Sequence, residues 1–495
     1  MDAILEAFVL VFASLWALWA NTTISTLWPL QFALQSLTFT AYISQQTPNF
    51  LSKTKNSDNS GLMAGLLLLP LALTTRLLIH EDPCFLVYAN SSVYIGLSFL
   101  LQGCLQDGIL ILMFLFMSPY KGTARSLCDT ADEPFIDITA LLPLAARIVF
   151  THVRAFGIEN LPGSFSMGEG ILMAQGLTLF IIDLFLLVSA RISTGLPLLE
   201  VVAARDDVVR VSELAVAGGL LIAWSLHQRE SRSLLVFLVG VLLLLFRMLL
   251  STWNPIAWLV SFLDSFRIGL CVFWMLMLAI CLPLFQRIAV KMRQIIARKL
   301  FHALVVVMFF PAMMYDRDFL GLSYSIAITG FILAECVRVS SIEQLGAKQI
   351  LEFMSVFVDH REAGRIVFTH TYLLLGCALP LWLSYPSGKF FLPPFAGILA
   401  LGIGDAMGAV IGSLYGYPRA WINSKSLEGS SAVFISILLA SIGVLSLQAI
   451  PTSAQILRVS LASILTSIFE ASSTQIDNLT LPLLLFTLFN LASIH

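Results

Sequence analysis

Apolar runs of about twenty residues follow one another along most of this chain, each long enough to cross the hydrocarbon core of a bilayer as a helix. Inside a bilayer the backbone must satisfy its own hydrogen bonds, so such runs fold as helices packed side by side. Composition agrees. Hydrophobic residues make up 58% of the 495 residues and charged ones only 12%, against about 25% charged in an average soluble domain. Mean hydropathy is +0.89. The expected fold is all-α, a polytopic transmembrane helical bundle of about 14–17 spans. A net charge of −2 points to no nucleic-acid partner.

The N-terminal half reads as spans at 4–20, 24–43, 62–80, 93–117, 138–153, 168–190, 213–228, 233–251 and 256–286, the last holding one or two passes. Residues 4–20 are expected to stay as a first helix, because no basic segment precedes them as in a cleaved signal. Arg76, Arg147, Asp183 and Arg247 fall inside or at the ends of these runs, where snorkelling or interhelical pairing accounts for them. Cys84, Cys104, Cys128, Cys271, Cys281, Cys336 and Cys377 show no metal-site or disulfide spacing and read as small core residues.

Character changes at residue 287. Arg287, Lys291, Arg293, Arg298 and Lys299 occur with no acid among them, which places this segment on the cytosolic side. The chain therefore divides into an N-terminal helical region, 1–286, and a C-terminal transmembrane region, 287–495, that carries the candidate site. Runs at 300–316, 319–337, 366–385, 391–413, 431–449, 455–471 and 479–494 bring the chain back to that side at 338–365, 414–430 and 472–478. The polar segments thus share one face.

Residues 401–430 read LGIGDAMGAVIGSLYGYPRAWINSKSLEGS. Asp405 is a carboxylate in an otherwise apolar run, and such a residue is expensive unless paired or functional. It reads either as a structural ion pair or as a Mg²⁺ ligand in a water-accessible cleft. Gly404, Gly408, Gly412 and Gly416 recur every fourth residue. That stripe suits close helix packing, or a face on which a nucleotide's phosphates approach the backbone. Neither a dinucleotide fingerprint nor a P-loop is present. In Lys425-Ser-Leu-Glu428-Gly429, Ser426 suits a helix cap and Glu428 a helix dipole. The same residues also suit phosphoryl transfer, which needs cations on phosphate and carboxylates on metal. Glu470, Asp477 and Asn478 gather at the start of the last span, either as a solvated turn or as part of an acidic cluster shared between helices.

Taken together, GDAMGAVIGSLYG, KSLEGS and EASSTQIDNLTLP resemble the C-terminal region of the dolichol kinase family, membrane lipid kinases related to phytol kinases and CDP-diacylglycerol synthases. Arg298-Lys299-Leu-Phe-His302 and the segment from Phe357 through Tyr372 to Gly376 are similar to family segments as well. The resemblance implies transfer of the γ-phosphoryl group of CTP to the terminal hydroxyl of dolichol. The product would be dolichyl phosphate for protein glycosylation, made in the endoplasmic reticulum membrane with the catalytic face towards the cytosol. It implies Mg²⁺ on Asp405, Glu428 and Asp477, with Glu470 as a further acid. Arg298, Lys299 and Lys425 would lie on the phosphates, with Gly404, Gly408 and Gly429 beside the nucleotide. Where the family often has two adjacent lysines, this chain has Ser424 before Lys425, and Arg419 is the candidate for the second charge. A carboxylate of the cluster, or His302, would accept the hydroxyl proton. Alternatives are another CTP-dependent polyprenol or phytol kinase, a CDP-lipid cytidylyltransferase, and a transporter using Asp405 as a coupling-ion site. The lack of internal repeats disfavours the last.

Overall fold

A computed structural model describes residues 2–20, 61–79, 83–100, 138–161, 164–192, 197–228, 255–289, 291–340, 346–355, 366–384, 392–417, 425–447, 449–473 and 477–493. Every described element is helical. In the N-terminal half these are α1 (Asp2–Ala20), α2 (Leu62–Ile79), α3 (Pro83–Leu100), α4 (Ile138–Asn160), α5 (Met167–Ile192), α6 (Pro197–Ala203), α7 (Asp207–Gln228), α8 (Pro255–Phe262) and α9 (Ser265–Ala289). Next come α10 (Gln294–Tyr315), α11 (Arg317–Val339), α12 (Ala347–Ser355) and α13 (Thr369–Leu383). A 3₁₀ turn (Pro393–Phe395) and a π-helical segment (Ile398–Asp405) then lead into α14 (Ala406–Tyr415), α15 (Leu427–Ser446), α16 (Ser453–Ser472) and α17 (Asp477–Ser493). Eight described helices are long and apolar enough to cross a membrane. The polytopic helical bundle expected from the sequence is the observed fold. The runs at 24–43 and 233–251, with Arg247, lie outside the described residues, and the run at 256–286 divides into short α8 and long α9.

Local chemistry sets the helix boundaries. Asp316 separates α10 from α11, its side chain accepting from Phe319 N at 3.0 Å. Arg267 from α9 donates to the same carboxylate at 2.6 Å. Ser426 caps α15 by accepting from Gly429 N at 3.1 Å, and Thr452 with Gln455 forms a capping box on α16. These bonds satisfy amides that a helix start leaves without intrahelical partners.

The last helix is the post around which the bundle is built. Every residue of α17 from Asn478 to Ala492 is buried, so its Leu- and Phe-rich sequence needs no polar face. It packs against α1, α2, α13, α16 and the π-helical segment, and therefore joins elements on both sides of residue 286. Asn490 donates to Thr75 Oγ1 at 3.4 Å. Arg76 of α2 donates from Nε to the carbonyl of Leu383 at 3.0 Å, an interhelical bond of the kind expected for a charge in an apolar run. Asp183 is paired likewise, 2.7 Å from Arg205, which also meets Glu213 at 3.2 Å.

Lipid tails are as apolar as leucine, so close approach of backbones contributes much of the helix association. Gly376 of α13 is such a contact. An added Cβ would lie 2.0 Å from the carbonyl oxygen of Asn478, 2.9 Å from Leu401 Cδ1 and 3.0 Å from Pro482 Cγ. Gly376→Ala is expected to destabilise the detergent-solubilised protein by about 1–3 kcal/mol. Gly321→Ala, whose nearest neighbour would be 3.7 Å away, should leave thermal unfolding almost unchanged. Equal melting of the two variants would contradict this packing.

Candidate functional site

Asp405 closes the π-helical segment and is buried. It stands ten residues before the end of α14, about 15 Å at the usual helical rise. π turns are rare and concentrate at functional sites. Two residues one turn apart on α10 meet this carboxylate. Lys299 Nζ donates to Asp405 Oδ2 at 2.5 Å, and His302 Nε2 lies 3.1 Å from the same oxygen. His302 Nε2 is also 3.4 Å from Asn478 Oδ1, and its Nδ1 is 3.4 Å from the carbonyl of Arg298. Burial in an apolar setting makes an unpaired charge costly, and the lysine offsets that cost.

A second group completes the site. Lys425, just before α15, donates to Glu470 Oε1 and to the Glu470 carbonyl, both at 2.5 Å, and its Nζ is 3.5 Å from Asp477 Oδ2. Burial works against the Lys425 charge, but the carboxylates of Asp477 and Glu470 outweigh it and hold the ammonium above the ordinary lysine range. Asp405, Glu470 and Asp477 each offer a carboxylate oxygen, and these oxygens lie within 4.8 Å of one another. Asp477 Oδ1 is buried without a hydrogen-bond partner. Three carboxylates face two ammonium groups, and burial, with Glu470 and Asp405 nearby, pushes the Asp477 carboxyl up to about 7 against the pull of Lys425, so the cluster has more acids than cations and an unused oxygen. That donor set fits a hard divalent cation, which takes oxygen ligands.

The sequence-derived residues are distributed unevenly. Lys299, Asp405, Lys425, Glu470 and Asp477 come together from four separated segments. Glu428 does not join them. The buried side of α15 begins with Gly429 and Ser430, so Glu428 points outward. Its Oε2 accepts from Tyr417 N at 3.3 Å, and Glu470 takes the third place among the acids. Gly404 and Gly408 do not open a face for a nucleotide. A Cβ on them would meet Ile437 at 2.7 Å and Val433 at 2.5 Å, and Gly429 in turn lies against Gly408 and Gly412. The stripe is a packing surface for α15. Arg298 sits beside Lys299 and is half-buried, while Arg419 and Ser424 lie outside the described residues. His302 and Asn478 were legible only in part. His302 sits three residues after Lys299, which puts both on one face of a helix, but no spacing rule links either to Asn478.

A model of the dolichol kinase family matches residues 143–380, a stretch that ends before Asp405. The chain is 30% identical over 392 residues to the dolichol kinase EVAN of Arabidopsis thaliana, covering 70% of this chain and 67% of that protein. It is 31% identical over 385 residues to the dolichol kinase of Homo sapiens, covering 70% and 68%. Dolichol kinase sec59 of Schizosaccharomyces pombe is 36% identical over 197 residues, covering 39% and 38%. No solved structure matches the chain.

Ion pairing of this depth predicts a stability signature. Lys299→Met leaves the Asp405 charge buried without its ammonium partner and is expected to cost about 3 kcal/mol. Asp405→Asn in the same chain should recover much of that loss in thermal unfolding. A double variant no more stable than Lys299→Met alone would show that the two side chains are not energetically coupled.

Proposed function

The chain belongs to the dolichol kinase family, and from that premise we propose that it transfers the γ-phosphoryl group of CTP to the terminal hydroxyl of dolichol. The products are dolichyl phosphate, CDP and a proton. The observation that carries this reading is the meeting of Asp405, Glu470 and Asp477 with Lys299 and Lys425 at one end of an apolar bundle. Phosphoryl transfer is mainly positioning and charge neutralisation, and this cluster supplies both signs of charge.

Asp405, Glu470 and Asp477 are the residues that would hold Mg²⁺, a set that exchanges Glu428 for Glu470. Bound there, the cation would neutralise charge on the nucleotide phosphates. Lys425 and Lys299, with Arg298 next to Lys299, would take the phosphate oxygens once the carboxylates hold the cation. A primary alcohol is a weak nucleophile until its proton has an acceptor, and a carboxylate of the cluster fills that role. The polyprenyl tail lies between apolar helices while only the hydroxyl reaches the charged end. The setting proposed is the endoplasmic reticulum membrane with the site facing the cytosol, where the lysine- and arginine-rich 287–299 segment belongs by charge.

Purified protein given γ-labelled CTP, Mg²⁺ and dolichol is expected to transfer label into the organic phase. Label confined to the aqueous phase would overturn the proposal. With a lipid phosphate as acceptor, transfer of label from α-labelled CTP to the lipid and release of pyrophosphate would indicate a cytidylyltransferase instead. Asp405→Asn should lower turnover on the order of 100-fold. Lys425→Ala should raise KM for CTP more than KM for dolichol, and equal changes in both would give that lysine a purely structural role.

A further inference from the structure

One charged rim takes no part in that chemistry. From Ser265 to Tyr315 the chain contains no Asp or Glu, while Arg287, Lys291 and Arg293 all have exposed side chains. No side-chain partner is found for Arg287 or Lys291 among the described residues. Arg293 spends one nitrogen on the carbonyl of Ser413, at 2.7 Å, which fixes the start of α10 to the end of α14. Lys299, six residues deeper on α10, is bonded to Asp405, so the rim lies about 9 Å outward from that pair.

Two further features fix the depth and character of this rim. Tyr415 and Tyr417, exposed at the end of α14 close to Ser413, are the residue type that collects at headgroup level. Leu284, Met292 and Ile295, interleaved with the cations, are exposed large hydrophobics. Exposed cations interleaved with apolar side chains, with no acid in the chain from Ser265 to Tyr315 and Glu428 held on Tyr417 N, are complementary to a surface that is apolar below and anionic above.

We propose that Arg287, Lys291 and Arg293 form a docking site for anionic phospholipid headgroups in the leaflet on the side of the candidate site. A cation at such a surface contributes about 1 kcal/mol, or about fivefold in affinity. Zwitterionic headgroups offer no comparable net charge, so the site discriminates between lipid classes.

The test uses the full chain in nanodiscs of phosphatidylcholine with and without phosphatidylserine. Labelled lipid retained after a detergent wash is measured, and no phosphotransfer is assayed, so the result is independent of the kinase proposal. The native protein is expected to retain phosphatidylserine in preference to phosphatidylcholine. Arg287→Gln combined with Lys291→Gln should weaken that preference roughly 30-fold, the product of two such charges. Arg287→Lys combined with Lys291→Arg should keep it, which separates loss of charge from loss of fold. Excess inorganic phosphate should leave the preference intact. Equal retention of both lipids by the native protein, an undiminished preference in the glutamine variant, or displacement by phosphate would each overturn the proposal.

Discussion

Three carboxylates held close together inside an apolar bundle form the constraint to which the rest of the structure answers. At separations within 4.8 Å, any two of them that are ionised repel by at least about 3.5 kcal/mol at an effective dielectric constant of 20. Lys299 and Lys425 offset much of this, and they come from different elements. One sits in the second turn of α10, and the other precedes α15. Each ion pair therefore ties one part of the bundle to another: Lys299–Asp405 joins α10 to the π-helical segment, and Lys425 joins the start of α15 to the end of α16 and the start of α17.

The packing around the cluster serves the same end. α17 is enclosed along its length, so the position of Asp477 at its start is fixed by contacts far from the charges. The glycines at 404 and 408 let α15 approach the π-helical segment and α14 until Val433 and Ile437 fill the space where side chains would otherwise stand. A site placed on such rigid elements holds its donors in position before any ligand arrives, which is what electrostatic catalysis needs.

Much of this was legible in the sequence because the bilayer makes the code simple. Apolar runs of spanning length become helices, and counting them from the basic segment at 287 put Lys299, Asp405, Lys425, Glu470 and Asp477 at one end. Less legible was which way each side chain turns. Glu428 and Lys425 are three residues apart, yet only Lys425 enters the cluster, because Lys425 precedes the helix while Glu428 follows its phase. The glycine stripe allowed two readings, and only the positions of Val433 and Ile437 decide for packing. The π-helical turn that ends at Asp405 has no pattern in composition or spacing to announce it, and it packs against α10, α13, α15 and α17.

Asp405, Glu470 and Asp477 are proposed to form together the divalent-metal site of a phosphotransferase. An experimental structure with Mn²⁺ and a non-hydrolysable CTP analogue, read by anomalous scattering, tests it most directly. A metal peak bonded to oxygens of those three residues is expected, with nucleotide phosphates beside Lys299 and Lys425. A peak coordinated by Glu428 and remote from Glu470 would contradict it.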